Sequence, residues 1–371
     1  MDFSIRKADL QRELSLIQGV VEKKTTIPIL ANLLLETKDN QVSMAGTNLE
    51  LGVSLRCDAT VKKEGSCTVP AKRLWEIVRS LPEAEIRLRE IENHWVQITC
   101  ERSTFKLVGM ARDNFPALPE PPKAATTLSA GVLRKMIEKT VFAISSEESR
   151  YTLNGALLIL KPDSVTMVAT DGHRLAHMEH QVSVGGLNQE RRSLIPKKAM
   201  AELQKILSEG EEGEEVEFSQ DENHLFFRVG KRLLTARMLT GQFPNYEAVL
   251  PRGNDKVMEV ESVAVAAAIR RVALLADERS RAIRLRMEPG KLEISSSSGD
   301  YGEASEILET EYKSEVIDIG FNFQYLLDFF SAVSNGGNIS LEFKDSHSAG
   351  QFRPLGDETY RYRYVIMPMR I

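Results

Sequence analysis

One pattern is written three times along this 371-residue chain, and the repetition restricts its fold more than any single motif does. Phe115-Pro116 recurs as Phe243-Pro244, and Glu92-Asn93-His94 recurs as Glu222-Asn223-His224. The stretch TVPAKRLWEIVR at 68–79 returns as LIPKKAMAELQK at 194–205 and, more weakly, as IGFNFQYLLDFF at 319–330. Three apolar hairpins, at 33–47, 156–170 and 283–297, also line up. They turn through Lys38-Asp39-Asn40, Lys161-Pro162-Asp163 and Glu288-Pro289-Gly290, residues whose chemistry suits tight turns.

The simplest organisation is three domains of one shared fold, at 1–121, 122–250 and 251–371, each near the usual size of an independent core. Proline-rich FPALPEPPK at 115–123 reads as an extended linker, and LPRGND at 250–255 as a shorter joint. Each copy reads as strand, helix, hairpin, strand, helix, hairpin. The first helices are expected near Ala8, Ala130 and Ser262, and the second near Pro70, Pro196 and Phe321, with both prolines inside a first helical turn. Antiparallel strands with two helices packed on them make an α+β structure.

Composition is that of an ordinary globular protein: 42% hydrophobic, 27% charged, with a formal net charge of −5. No basic-then-apolar leader opens the chain and no apolar run reaches the length of a membrane span, so a cytoplasmic, membrane-free protein is expected. Cys57, Cys67 and Cys100 form no C-x-x-C pair and are expected to be reduced, half-buried strand residues. The cations gather on the helices, with Lys72, Arg73 and Arg79 on one, Arg134, Lys135 and Lys139 on another, and Lys197, Lys198 and Lys205 on a third. The acid gathers elsewhere, above all in EGEEGEEVE at 209–217. Such a molecule can offer a polyanion one attractive face; solvated sides of amphipathic helices would look the same.

Asp171, His173 and His177 fall within seven positions, in the manner of a metal or acid–base cluster. Their equivalents in the first copy oppose this, because Thr170-Asp171 aligns with Thr47-Asn48, and the stretch AGTNLE at 45–50 has no histidine. On an extended segment the two histidines would stand about 13 Å apart, too far to share an ion unaided. No nucleophile elbow or phosphate loop adds to it, and neither metal nor cofactor is expected. The last seven residues, VIMPMRI, are apolar but for Arg370, so the terminus is expected to be tied down or to form a surface.

With IPILANLLL at 27–35, RYTLNG at 150–155, ATDGHRL at 169–175, FPNY at 243–246, IGFN at 319–322 and YVIMPMR at 364–370, the chain resembles the bacterial sliding clamps, the beta subunits of the replicative DNA polymerase III holoenzyme. The resemblance covers the whole length. It implies a DNA-clamp fold of three similar domains in a ring-forming head-to-tail homodimer. It implies no enzyme activity, but a processivity factor that slides on double-stranded DNA without sequence preference. The implied partners are the replicative polymerase subunit, the clamp loader, and other polymerases and repair proteins carrying clamp-binding motifs.

Carried over residue by residue, the implied peptide pocket comprises Arg150, Leu153, Thr170, Gly172, His173, Arg174, Leu175, Pro244, Val249, Asn322, Tyr325, Val365, Ile366, Met367, Pro368, Met369 and Arg370. DNA contacts are implied for Lys24, Arg73, Arg134, Lys135, Lys139, Arg150, Tyr151, Lys197 and Lys198, and dimer contacts for Phe105, Leu107, Leu274 and Leu275. Two other readings stay open: a metal-dependent hydrolase built on Asp171, His173 and His177, and a repeat-domain scaffold that binds no DNA.

Overall fold

The structure is a computed structural model that describes residues 1–21, 26–123, 126–147, 149–210, 213–333 and 336–370. The threefold pattern is there, each copy matching the others except for one short extra strand, β5, in the first. The first copy runs β1 (Asp2–Arg6), α1 (Lys7–Ile17), β2 (Asn32–Lys38), β3 (Gln41–Thr47), β4 (Leu51–Asp58), β5 (Thr60–Lys63), β6 (Gly65–Pro70), α2 (Ala71–Ser80), β7 (Glu85–Glu90), β8 (Trp95–Cys100) and β9 (Ser103–Val108). The second runs β10 (Thr126–Ser129), α3 (Ala130–Thr140), β11 (Gly155–Lys161), β12 (Ser164–Thr170), β13 (Arg174–Gln181), β14 (Arg191–Pro196), α4 (Lys197–Ser208), β15 (Glu215–Gln220), β16 (His224–Val229) and β17 (Arg232–Arg237). The third runs β18 (Lys256–Glu261), α5 (Ser262–Val272), β19 (Ala282–Glu288), β20 (Lys291–Ser298), β21 (Gly302–Glu309), β22 (Ile317–Asn322), α6 (Phe323–Ala332), β23 (Asn338–Phe343), β24 (Gly350–Pro354) and β25 (Tyr360–Ile366).

Two expectations change in detail. Each expected hairpin is the start of a three-stranded meander, because a third strand follows the first hairpin of each copy at β4, β13 and β21 and the second at β9, β17 and β25. Pro70 and Pro196 close strands β6 and β14 immediately before helices α2 and α4, rather than lying inside the first turn; they pair with Asn32 and Gly155 across the sheet. Proline at the end of an edge strand loses no ladder bond, and its fixed φ turns the chain into the helix.

The chain divides into two compact units, residues 1–134 with 198–238, and residues 135–197 with 239–371. In the first unit, a five-stranded sheet ordered β5-β1-β7-β8-β9 accompanies an eight-stranded sheet ordered β10-β15-β16-β17-β4-β3-β2-β6. Leu10, Leu14 and Ile17, spaced to share one face of α1, are fully buried there, as are Leu74 and Val78 of α2. In the second unit, an eight-stranded sheet ordered β14-β11-β12-β13-β25-β24-β23-β18 accompanies a four-stranded sheet ordered β21-β20-β19-β22. Ile269, Leu326 and Phe329 bury the helices here, and Phe329 stacks on Tyr364 with ring centroids 5.0 Å apart.

Each eight-stranded sheet is a join between copies. The third meander strand of one copy pairs antiparallel with the last strand of the next: β4 with β17, Gly52 opposite Thr235, and β13 with β25, Leu175 opposite Val365. No local signal records these pairings, which connect strands far apart in sequence. The corresponding strands left over, β21 of the third copy and β9 of the first, each end a sheet, with no strand beyond them among the described residues.

The three cysteines lie on β4, β6 and β8 and are buried, not half-buried. Burial pushes the Cys57 and Cys67 thiols up to about 12, so neither is a reactive thiolate. Among the described residues no helix is long and apolar enough to cross a membrane.

Candidate functional site

The Asp171 cluster is a turn that holds its own backbone. Thr170 Oγ1 donates to the Arg174 carbonyl at 2.6 Å and accepts from Gly172 N at 3.1 Å, while Asp171 Oδ1 accepts from the His173 and Arg174 amides at 2.9 and 3.1 Å. The first copy builds the same turn without a histidine. Thr47 Oγ1 donates to the Leu51 carbonyl at 2.7 Å, and Asn48 Oδ1 accepts from the Glu50 and Leu51 amides at 3.0 and 2.7 Å. Asp171 is therefore the local counterpart of an asparagine, a turn-forming acceptor.

The histidines part company. His173 is exposed, whereas His177, inside β13, is 7% exposed with its ring 5.6 Å from that of Tyr246. Burial, with Arg363 nearby, pushes the His177 pKa down to about 4. Among the described residues no three His, Cys, Asp or Glu side chains converge on a point where an ion could sit.

Above the turn lies an apolar cavity of about 250 Å³. The turn and β13 supply Thr170, Gly172, His173, Arg174 and Leu175; Leu153, Pro244 and Val249 come from flanking segments, and Val365 and Met367 from the last strand and just beyond it. Ten of the residues implied for the pocket thus come together. Tyr246, which also lines it, was not foreseen. The repeat held a clue to it: Phe243 is buried with Tyr246, Leu175 and Val365, as Phe115 in the first copy is buried with Ile29, Leu30 and Leu34.

The other implied pocket residues stand differently. Ile366 is fully buried and offers no surface, because it alternates with Val365 along β25. Asn322 caps α6 by accepting from Gln324 N at 2.9 Å. Tyr325 stacks beside His173, ring centroids 6.5 Å apart, and neither it nor Pro368, Met369 or Arg370 lines the cavity. The terminus is tied down: Met367 N donates to the His173 carbonyl at 2.9 Å, and Met369 N to that of Gly320 at 2.8 Å.

Two arginines brace the turn. Arg150 donates from Nη1 to the Asp171 carbonyl at 2.6 Å and pairs with Glu147 at 2.9 Å. Its guanidinium passes so close to Gly172 that a Cβ there would meet Nη1 at 2.7 Å, and Gly172 has φ +90°. Arg174 donates to Asp171 at 2.9 Å, Asp328 at 2.6 Å and the Phe142 carbonyl at 2.7 Å, and lies 4.3 Å from the Tyr325 ring centroid. Burial alone would favour its neutral form, but Tyr364, Asp328 and Asp171 outweigh it and hold the guanidinium firmly protonated.

Of the implied DNA contacts, Lys24 lies outside the described residues. Arg134 and Lys198 are exposed, as is Tyr151, and Arg73 is exposed beside Glu76 at 2.8 Å. Lys135 is half-buried, paired with Asp357 at 3.1 Å and set 3.9 Å from the Tyr360 ring centroid; Lys197 donates weakly to the Ile144 carbonyl at 3.4 Å. Lys139 departs from expectation. It is buried, its ammonium donates to the Ala332 carbonyl, and burial followed by the charge of Lys135 lowers its pKa, so it presents no accessible cation. Of the implied interface residues, Phe105 and Leu107 lie half-buried on the edge strand β9, Leu274 is 80% exposed and Leu275 is half-buried. The segment of Leu274 and Leu275 packs against β21, whose exposure alternates along its length although its sequence GEASEILE does not, since Glu306 turns inward to Arg271 and Ile307 is exposed; periodicity alone does not single it out.

Comparison with known proteins covers the chain from end to end. Three family descriptions match in order: DNA polymerase III beta subunit, N-terminal domain at residues 1–119, central domain at 127–245, and C-terminal domain at 247–370. The chain is 34% identical over 375 residues to the beta sliding clamp of Pseudomonas putida and 32% identical over 374 residues to that of Escherichia coli K12, with 100% of both chains covered in each case. A crystal structure of the sliding clamp (DNA polymerase III subunit beta) of Pseudomonas aeruginosa bound to griselimycin superposes with a TM-score of 0.94 at 33% identity, again with both chains fully covered.

Proposed function

Since the chain belongs to the DNA polymerase III beta subunit family, we infer that it is a processivity factor of DNA replication: two copies close head to tail into a ring that encircles duplex DNA and tethers replication and repair proteins through the apolar cavity. It acts in the cytoplasm and makes or breaks no covalent bond.

The observation that carries this is the join made twice inside the chain. Made a third time, it needs a second copy, with β9 of one chain antiparallel beside β21 of the other. Extending the register of Gly52 with Thr235 and of Leu175 with Val365 puts Lys106 opposite Glu303 and Phe105 opposite Ala304. Opposite charges then face solvent, and the half-buried Phe105 and Leu107 are covered on the inner face. Two such joins close a ring after one rotation, which removes the open edges. The domains are those of the repeat, 1–121, 122–250 and 251–371.

A ring that holds by topology has no need of tight contacts. Exposed Arg73, Arg134 and Lys198, with Lys135, Lys197, Arg150 and Tyr151, supply interchangeable phosphate contacts that weaken with salt and do not select sequence. The cavity takes apolar side chains of linear peptides. Each buried Leu or Met contributes about 1.5–3 kcal/mol, so two or three anchors, less ordering costs, give affinities on the order of micromolar and permit exchange of partners.

Deletion of Met367 to Ile371 tests the cavity. Griselimycin binding measured by calorimetry is expected to be lost while sedimentation still shows a dimer; retained binding would rule the cavity out.

A further inference from the structure

We propose that Asp328 is a positioning residue for the peptide cavity, acting on it through Arg174. Asp328 does not line the cavity. It sits on α6, half-buried, where Gln324 Nε2 donates to its Oδ1 at 2.8 Å and leaves Oδ2 to receive Arg174 Nη1 at 2.6 Å. The Arg174 side chain is 9% exposed. Without Asp328 its Nη1 would keep only the long 3.5 Å contact to the Tyr364 hydroxyl. A nearly dry guanidinium does not tolerate an unfilled donor, so it would shift toward its remaining acceptors.

That shift reaches the cavity directly. Arg174 Nε donates to Asp171 Oδ2, and the other oxygen of the same carboxylate caps the His173 and Arg174 amides. The turn so held carries Gly172, His173 and Leu175, all of which line the cavity. Asp328 therefore fixes the cavity wall from another element. Arg174 in turn directs Nε, Nη1 and Nη2 to protein acceptors.

It rests on the peptide-binding function inferred above, and the test separates the two. Griselimycin affinity is measured by calorimetry on the full chain for Asp328→Asn, Asp328→Ala, Asp328→Glu, Arg174→Ala, the double Arg174→Ala/Asp328→Ala and Val249→Asp, with circular dichroism to confirm folding. Expected are loss of binding for Val249→Asp and about tenfold weaker binding for Asp328→Asn. Asp328→Glu should stay within about threefold of the parent, and the double variant should be no weaker than Arg174→Ala alone. Binding by Asp328→Asn equal to or tighter than the parent, Asp328→Glu as weak as Asn, or additive losses would each overturn the proposal while Val249→Asp still loses binding. Unimpaired binding by Val249→Asp overturns the cavity's function and the proposal with it. Should Asp328→Ala not fold, the isosteric Asn variant decides.

Discussion

At the scale of single residues, two positions in and beneath the pocket turn stand out, Gly172 and His177. Gly172 is favoured twice over, by its φ of +90° and by the Arg150 guanidinium where a Cβ would be. Gly172→Ala is expected to destabilise the chain by about 1–2 kcal/mol in urea titration and to weaken ligand binding. His177 is different, since it was legible in the sequence only as a suspicious neighbour of His173. Its folded pKa, about 4, lies below the ordinary value of 6.5, so the unfolded chain takes up a proton that the folded chain refuses. The stability this group confers is complete above pH 6.5 and drains away as pH falls toward 4, by about 2 kcal/mol between pH 7 and pH 5. His177→Phe should remove that share of the pH slope; an unchanged slope would show that His177 is not held neutral. What misled at this scale was proximity in sequence, because His173 stands in the exposed turn that precedes β13 while His177 lies inside the strand and is buried by its neighbours.

At the scale of elements, the turn chemistry and helix starts were readable because they are local. Lys38-Asp39-Asn40 and Glu288-Pro289-Gly290 do turn their hairpins, and α1, α3 and α5 begin within a residue of where the pattern placed them. The partnership of β4 with β17 was not readable, nor was that of β13 with β25, because pairing across the gap between copies depends on burial and register that no window of sequence contains. The edge pair β9 and β21 carries the sharpest prediction here. Leu274→Asp with Leu275→Asp should give monomers in sedimentation. Lys106→Glu alone should weaken the dimer by roughly 1 kcal/mol, and Glu303→Lys in the same chain should restore it. A Lys106→Glu dimer as tight as the parent, or no rescue by Glu303→Lys, would contradict the register.

At the scale of the whole molecule, repetition did what no motif could. Thr47 with Asn48 explains Thr170 with Asp171, so the acid of a cluster that reads as a metal or acid–base site resolves into a turn seen twice. The candidate cations were less legible, because sequence places a lysine on a helix without saying whether its ammonium meets solvent, and Lys139 does not. The central claim is that the protein holds DNA by enclosing it. The direct measurement is retention of the clamp, loaded on a nicked circular plasmid, before and after a single restriction cut. Enclosure predicts that the protein co-elutes with the circle and is released once the DNA has ends to slide from; equal retention on circle and linear DNA would contradict it.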